Sequence, residues 1–225
     1  PLFESQLALC GVDYFDFYLM HAQDRNIFQK YKQCRAYETA LELQAEGKFR
    51  HFGISFHDKA DMLDQILTDR PDIEVVQIQF NYADYEDVRI QSRKCYEVCR
   101  KHGKPMLIME PVKGGTLAKL PDEAMKLFSE FYEGQEPLPS PSSLAVRYAA
   151  SLQHVKTVLS GMSSLEQLDD NTSYMSDFRQ LSQDERELVE KITAVLRRTV
   201  RVPCTSCRYC TEYCPQGLDI PKLIS

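Results

Sequence analysis

The sequence predicts an α/β protein of the (β/α)8 TIM-barrel type that contains about five consecutive β/α units. Strand-like runs rich in β-branched and aromatic residues alternate with amphipathic helical stretches five times along the 225 residues. This alternation is typical of a parallel sheet with crossover helices. No Gly-rich loop for a dinucleotide or a triphosphate occurs, which favours a barrel over a doubly wound sheet. A closed barrel needs eight units and typically about 250 residues, so we expect three units to precede Pro1.

The first elements follow from apolar runs and glycine stops. A short helix at Leu7–Cys10 precedes a first strand at Tyr14–Met20. A helix at Tyr37–Ala45, closed by Gly47, leads into a second strand at Phe52–Ser55. Glycine is favoured just past a helix end because it adopts left-handed backbone angles without strain.

The middle of the chain repeats this order. His57–Leu67 has apolar residues at helical spacing, and Glu74–Asn81 is an apolar run that predicts the third strand. A helix at Val88–Lys101 and a fourth strand at Met106–Glu110 follow.

The last barrel elements are a helix at Ser142–Ser151, a fifth strand at Val155–Ser160, and helices at Leu165–Met175 and Asp184–Arg197. Four prolines between positions 121 and 141 predict an irregular stretch before them. We interpret residues 1–200 as a partial barrel and residues 201–225 as a separate tail.

The composition excludes several classes of protein. The chain has 27 basic and 33 acidic residues and a net charge of −6, which argues against a nucleic-acid binder. No run approaches the ~18 apolar residues that cross a bilayer, and no secretory signal is visible. Four of the eight cysteines fall near the C-terminus, unlike those of a secreted disulfide scaffold. We therefore expect a cytoplasmic protein without membrane or nucleic-acid partners.

Polar residues recur where the predicted strands end. His21 and Ser55 end the first two strands, Gln77 and Asn81 lie on the third, and Glu110 ends the fourth. Any one of these could be an ordinary hydrogen-bonded residue. The carboxyl ends of barrel strands carry the chemistry of that fold, so their recurrence at one end favours an active site.

Five segments, in order, resemble the aldo/keto reductase family. Residues 7–21 (LALCGVDYFDFYLMH) are similar to the segment through its fourth strand, and residues 46–55 (EGKFRHFGIS) to its fifth-strand signature. Residues 77–82 (QIQFNY) and 109–115 (MEPVKGG) resemble the sixth-strand and seventh-strand motifs. Residues 160–171 (SGMSSLEQLDDN) resemble the segment for the phosphates and adenine of a pyridine nucleotide. The resemblance implies reduction of a small carbonyl substrate with NADP or NAD.

The resemblance implies roles at the strand ends. His21 would correspond to the histidine that hydrogen-bonds the substrate carbonyl oxygen as negative charge develops during hydride transfer, which is the role of an oxyanion donor. Ser55 and Gln77 would hold the nicotinamide carboxamide and so orient the ring toward the substrate.

The last segment would bind the rest of the nucleotide. Gly161 and Ser163 would approach the phosphates, and the helix that starts near Ser164 would direct unsatisfied N–H groups at negative charge. Gln167 and Asn171 are four residues apart, so they share a helix face and would contact the adenine half.

The chain departs from the family pattern at several positions. Phe56 stands where an asparagine is frequent, and Met109 where an aromatic residue usually stacks on the nicotinamide. Gln167 replaces an arginine that binds the 2′-phosphate in many members, which weakens the expectation of NADP over NAD. The family's catalytic aspartate, tyrosine and lysine lie on earlier strands. With only His21 of this tetrad, we expect the chain not to reduce carbonyls alone.

The tail carries a C-x2-C-x2-C-x3-C-P run made of Cys204, Cys207, Cys210 and Cys214. This is the bacterial ferredoxin spacing for a [4Fe–4S] cluster. Zinc is the alternative, but structural zinc sites usually take two C-x2-C pairs separated by a longer loop. The segment that follows, residues 216–221, resembles its counterpart in iron–sulfur members of the family.

The fourth cluster ligand stays open. In two-cluster ferredoxins the last cysteine of the run binds the other cluster. Either Cys214 closes the same cluster, or a distant cysteine does. The distant cysteines of this chain are Cys10, Cys34, Cys95 and Cys99, and the units expected before Pro1 could hold another.

The leading hypothesis is the C-terminal part of an NAD(P)-dependent aldo/keto reductase-type enzyme with a [4Fe–4S] cluster. Its partners would be a small carbonyl substrate and a redox partner protein. Two alternatives are an iron–sulfur electron carrier on a non-catalytic barrel scaffold, and a protein that senses the nucleotide without turning it over.

Overall fold

A computed structural model describes residues 2–199 and 209–224. These residues form two compact units. The first contains the chain up to Gln79, Glu86–Ile108 and His154–Thr157. The second contains Phe80–Tyr85, Met109–Gln153 and the described residues from Val158 onwards.

The sheet has five strands that lie side by side in chain order. They are β1 (Phe15–Gln23), β2 (Phe49–Phe56), β3 (Val75–Gln79), β4 (Met106–Met109) and β5 (Val155–Val158). The strand pairs β1–β2 and β2–β3 are parallel. The predicted α/β alternation around a parallel sheet is therefore confirmed, although β1 extends three residues beyond the predicted end at Met20.

The helices of the first unit are α1 (Leu2–Cys10), α2 (Arg25–Gln33), α3 (Ala36–Ala45), α4 (Ala60–Asp69) and α5 (Ser92–Lys101). The sequence analysis missed α2, which has few apolar residues. Its start is fixed by the Asp24 carboxylate, which accepts the Ile27 N–H at 2.7 Å. Gln91 is left-handed (φ 57°), so α5 begins at Ser92 rather than at the predicted Val88.

The helices pack on one face of β2. Phe52 and Ile54 alternate with residues of the other face and are fully buried. Tyr37 of α3 lies edge-on to Phe52 at 6.3 Å and to Phe28 of α2 at 5.9 Å between ring centroids. Each such buried aromatic side chain contributes about 1.5–3 kcal/mol to folding.

Gly53 sets the spacing of the first three strands. A Cβ at this position would lie 2.6 Å from the Val75 carbonyl oxygen and 2.5 Å from Leu19 Cδ2. Since only glycine permits this approach, the alignment that brings Ser55 between β1 and β3 depends on it.

The helices of the second unit are α6 (Asp122–Phe131), α7 (Pro141–Ala150), α8 (Leu165–Met175), α9 (Gln183–Thr199), α10 (Tyr209–Glu212) and α11 (Ile220–Ile224). A 3-10 turn, Lys113–Gly115, precedes them. The predicted irregular stretch is wrong over α6. Pro121 is the N-cap residue before α6, and Pro141 is the first residue of α7. Proline suits the first helical position because it already has the helical φ and the first helical N–H needs no partner.

A buried ion pair joins α7 to α9 in this unit. Arg147 Nη1 lies 2.6 Å from Glu185 Oε1, and the Tyr132 hydroxyl donates to the same oxygen at 2.7 Å. Burial by itself would raise the pKa of Glu185, but the hydrogen bonds and the Arg147 charge lower it overall. The carboxylate is therefore the stable form in the fold.

None of the helices within residues 2–199 and 209–224 combines the length and apolar character needed to cross a membrane.

Candidate active site

His21 lies in a β-bulge at the carboxyl end of β1. The register pairs Met20 with Ile54 and Gln23 with Phe56, so two residues of β1 lie opposite Ser55 alone. The second of the two, Ala22, is left-handed with φ 52°. The His21 residue is exposed. Bulges of this kind redirect a side chain at the end of a strand.

Ser55 supports this bulge and connects it to β3. Its hydroxyl oxygen accepts the Ala22 N–H at 2.8 Å, and the residue is only 4% exposed. Gln77 lies directly opposite Ser55 in the β2–β3 register. The two side chains therefore share a face of the sheet. A hydroxyl that accepts one hydrogen bond can still donate its own hydrogen.

The second unit contains a cavity of about 500 Å³. Four of its lining residues, Gly161, Ser163, Gln167 and Asn171, are those that the resemblance assigns to the phosphates and the adenine half of the nucleotide. Glu110, another residue noted at a strand end, also lines it. The volume is in the ordinary range of small-molecule sites.

Helix α8 borders this cavity through its first two turns. Ser164 is extended and caps the helix, since its hydroxyl accepts the Gln167 N–H at 3.3 Å. The free N–H groups of a first helical turn attract anions. The predicted bounds of this helix, Leu165–Met175, agree with the structure.

The side chains of Gln167 and Asn171 shape the loop before the helix. Gln167 Oε1 accepts the Ser163 backbone N–H at 2.7 Å, and Asn171 Nδ2 donates to Ser160 Oγ at 2.9 Å. Within the described part of the chain, the residues that line the cavity include the carboxylates Glu110 and Asp170 and no lysine or arginine. Polar side chains and backbone groups, together with apolar residues such as Val112 and Leu159, therefore form the described lining of the cavity.

The loop after β4 forms another part of the cavity wall, through Glu110 to Gly115. Its neighbour Lys113 is buried and forms an ion pair with Asp84, which in turn accepts a hydrogen bond from Asn81 at 2.9 Å. Sequence reasoning noted Asn81 but missed Asp84 and Lys113. The only local signal was a lysine between apolar residues and glycines in the MEPVKGG motif.

The predicted residues thus form two groups. His21, Ser55 and Gln77 belong to the first unit, at the ends of β1 to β3. The four nucleotide residues belong to the second unit, where the structure brings them together around one cavity.

Two of the four tail cysteines, Cys204 and Cys207, lie outside the described residues. Cys210 is exposed and Cys214 half-buried, and neither forms a disulfide. Within the described residues no cluster of three or more His, Cys, Asp or Glu side chains could hold a metal ion. A cluster at this run is therefore not supported by the described geometry.

The surroundings of Cys214 nevertheless suit a thiolate. Hydrogen bonds from the backbone N–H groups of Leu218 and Gln216, and then of Gly217, lower the pKa of its thiol. Thiolates are the ligands of iron–sulfur clusters, and hydrogen bonds to the sulfur tune such centres. The thiol of Cys214 therefore ionises more readily than an ordinary cysteine thiol.

The distant cysteines differ among themselves. Burial raises the pKa of Cys95 to about 12, and burial also raises that of Cys99. Both are therefore protonated at neutral pH, as expected of core thiols. Cys10 and Cys34 are exposed.

Comparison with known proteins identifies the fold. The sequence model described as aldo/keto reductase family matches residues 2–194 and ends before the cysteine run. The holo form of the aldo-keto reductase AKR11C1 from Bacillus halodurans superposes with a TM-score of 0.63 at 22% identity, over 85% of this chain and 65% of that one. No curated protein matches the chain.

Two further solved structures have the same fold. An aldo-keto reductase from Klebsiella pneumoniae, in complex with NADPH, has a TM-score of 0.61 at 19% identity, over 85% of this chain and 63% of that one. The glycerol dehydrogenase AKR11B4 from Gluconobacter oxydans has a TM-score of 0.61 at 18% identity, over 90% and 64%. The chain thus spans slightly less than two thirds of the length of these structures.

Proposed function

Because the chain belongs to the aldo/keto reductase family, we propose that it acts within an NAD(P)-dependent oxidoreductase that transfers hydride between a nicotinamide nucleotide and a small carbonyl compound. The observation that carries this proposal is the cavity of the second unit. The four residues that the resemblance assigns to the phosphates and the adenine half of the nucleotide, Gly161, Ser163, Gln167 and Asn171, all line it.

The residues of the cavity fit a dinucleotide. Gly161 has no atom within 4 Å of the place where a Cβ would stand, which leaves room for a phosphate near the backbone. The first turn of α8 supplies N–H groups for phosphate oxygens. The carboxylates of Glu110 and Asp170 can accept hydrogen bonds from ribose hydroxyls, a contact that acidic residues make in other dinucleotide sites.

The strand ends of the first unit carry the other residues to which we assign roles in hydride transfer. We assign to His21 an N–H that donates to the carbonyl oxygen as that oxygen gains negative charge. Ser55 and Gln77 would hold the carboxamide of the nicotinamide. The bulge that Ser55 supports fixes the backbone of His21, so the donor is positioned before the substrate arrives.

The proton for the reduced oxygen needs a separate acid. None of the tyrosines in the chain stands in the sequence context of the family's proton donor. We propose that turnover of a carbonyl requires groups from outside these 225 residues. The structure of the Klebsiella protein with NADPH makes NADP the first nucleotide to test.

A [4Fe–4S] cluster at Cys204, Cys207, Cys210 and Cys214 is the second part of the proposal. The ferredoxin spacing and the N–H groups around Cys214 support it. Such a one-electron centre would exchange electrons with a redox partner protein. Thiols and clusters persist in a reducing compartment, which supports the cytoplasm as the location.

The test is a binding titration of the purified chain with NADPH and with NADH, followed by the intrinsic nicotinamide fluorescence. Saturable binding of either nucleotide supports the oxidoreductase. Saturable binding without turnover in the intact protein favours a nucleotide sensor. If neither nucleotide binds while the iron–sulfur spectrum is intact, the electron carrier is favoured and the proposed oxidoreductase is refuted.

A further inference from the structure

We propose that Asn81, Asp84 and Lys113 form a buried positioning network that holds the loop Glu110–Gly115 in its cavity-lining conformation and thereby sets the affinity for the nucleotide. The inference rests on the proposed function of this cavity. It concerns residues to which neither the motif resemblance nor the strand-end argument gave a role in nucleotide binding.

The loop needs such support because of its backbone. Glu110 and Lys113 have φ angles of 56° and 50°, and Gly114 and Gly115 have 59° and 93°. Glycine adopts these left-handed angles freely, but a residue with a Cβ pays a steric cost for them. Two such residues within four positions persist only where tertiary contacts determine the conformation.

The network supplies those contacts at two places in the loop. Asn81 Nδ2 donates to the Glu110 carbonyl oxygen at 3.1 Å and to Asp84 Oδ2 at 2.9 Å. Asn81 Oδ1 accepts the Asp84 backbone N–H at 2.9 Å, which fixes the amide orientation. The other Asp84 carboxylate oxygen bonds the Lys113 ammonium. Glu110 and Lys113, the two strained residues, are therefore both tied to the segment after β3.

The burial of these groups argues for a role beyond general stability. Asn81 is fully buried, and the side chains of Asp84 and Lys113 are only 2% and 11% exposed. The desolvation of a buried ion pair can exceed its Coulombic gain, and apolar replacements of such pairs are often neutral or stabilising. We infer that the Asp84–Lys113 pair serves to hold the strained loop in one conformation.

The loop Glu110–Gly115 can affect the nucleotide because it forms part of the cavity wall. Glu110, Val112, Gly114 and Gly115 line the same cavity as Gly161 and Ser163. The Lys113 ammonium is bonded to Asp84, and Lys113 is not among the residues that line the cavity. The network therefore acts on the ligand through the shape of the loop, which makes Lys113 a positioning residue and not a phosphate ligand.

The test compares two buried ion pairs of the second unit. Lys113→Met removes the ammonium from the network, whereas Glu185→Gln breaks the Arg147–Glu185 pair, whose side chains are 13% and 11% exposed and do not line the cavity. The dissociation constants of NADPH and NADH and the melting temperature are measured for each full-length variant. We expect Lys113→Met to weaken nucleotide binding about tenfold or more, because misplaced contacts are costly. Glu185→Gln should lower the melting temperature with its dissociation constants within about twofold of wild type.

Hydrogen exchange of the Gly115 to Leu117 amides in the nucleotide-free protein gives a second readout. These amides bond within the loop, to carbonyls of Val112 and Lys113, and should exchange faster in Lys113→Met. If Lys113→Met fails to fold, Lys113→Asn replaces it, since asparagine tolerates left-handed angles. Unchanged nucleotide affinity together with unchanged exchange overturns the inference. If the wild-type chain binds neither nucleotide, the proposed function is wrong. The hydrogen-exchange data then still show whether the network holds the loop.

Discussion

The hydroxyl of Ser55 accepts the backbone N–H of Ala22 at 2.8 Å, across 33 positions of the chain. Ala22 is the left-handed residue of the bulge that follows His21. A residue predicted to hold the cofactor therefore also holds the backbone next to the predicted oxyanion donor. Changes at Ser55 should affect the geometry of His21 even in the absence of nucleotide.

This relationship predicts the effect of Ser55→Ala. The variant leaves the half-buried Ala22 N–H without its acceptor, which we expect to lower the free energy of unfolding by about 1–3 kcal/mol. The imidazole resonances of His21 should shift at the same time. Urea unfolding and NMR of the histidine side chains provide the two measurements. Ser5→Ala, which removes an exposed hydroxyl bonded to the Leu2 carbonyl at 2.7 Å, should change neither. An unchanged His21 signal in Ser55→Ala would contradict the positioning role.

Cofactor preference should respond to a cation in the cavity. Gln167→Arg introduces a guanidinium into a cavity whose described lining has no basic side chain. A guanidinium binds phosphate through paired hydrogen bonds, so the NADPH affinity should rise relative to NADH by about tenfold. Fluorescence titration of both nucleotides gives the ratio. Gln183→Arg on α9 adds the same charge outside the cavity and should leave the ratio unchanged. An unaltered ratio in Gln167→Arg would place the 2′-phosphate elsewhere.

The acid stability of the fold should depend on Asp87. Hydrogen bonds from the Arg89 side chain, and from the Arg89 and Ile90 backbone, lower the pKa of Asp87 to about 2. An unfolded aspartate has a pKa of about 3.9. The pKa of Asp87 is lower in the folded state than in the unfolded state. Its contribution to the free energy of unfolding is therefore complete above the unfolded pKa and is lost as the pH falls toward 2.

Asp87→Asn should therefore flatten the fall in unfolding free energy between about pH 5 and pH 2. Urea unfolding at a series of pH values measures this. Asp177→Asn is the matched control. The Asp177–Arg179 pair has the same distance of 2.8 Å and the same sequence spacing as the Asp87–Arg89 pair, but both of its side chains are 80% exposed. The exposed pair should contribute little. Equal flattening by both variants would refute the assignment to Asp87.

The identity of the fourth cluster ligand can be decided by substitution. After anaerobic reconstitution we expect the wild-type chain to show a broad absorbance near 400 nm that dithionite bleaches, as iron–sulfur centres do. Cys214→Ser should lose most of this absorbance and iron, whereas Cys95→Ala, at a buried thiol of raised pKa, should retain both. Loss in Cys95→Ala with retention in Cys214→Ser would reverse the ligand assignment. A colourless wild-type protein that binds zinc would end the cluster proposal.

Much of the candidate site could be predicted because its parts are local. Residues 160–171 are contiguous, and a serine cap followed by apolar residues at helical spacing specifies α8 without help from the rest of the chain. The same holds for the five strands, whose composition differs clearly from that of the helices. The error over α6 arose from treating Pro121 as a sign of irregular structure, when it is the N-cap residue that immediately precedes the helix.

The sequence by itself therefore determined the order of the five strands, the family, and four residues that line one cavity of the second unit. The tertiary structure alone decided the bulge at Ala22 and the network of Asn81, Asp84 and Lys113. Both depend on hydrogen bonds between residues about 30 positions apart. Such bonds form only after strand pairing has fixed which backbone groups are left without a partner, and no local pattern of residues records that outcome.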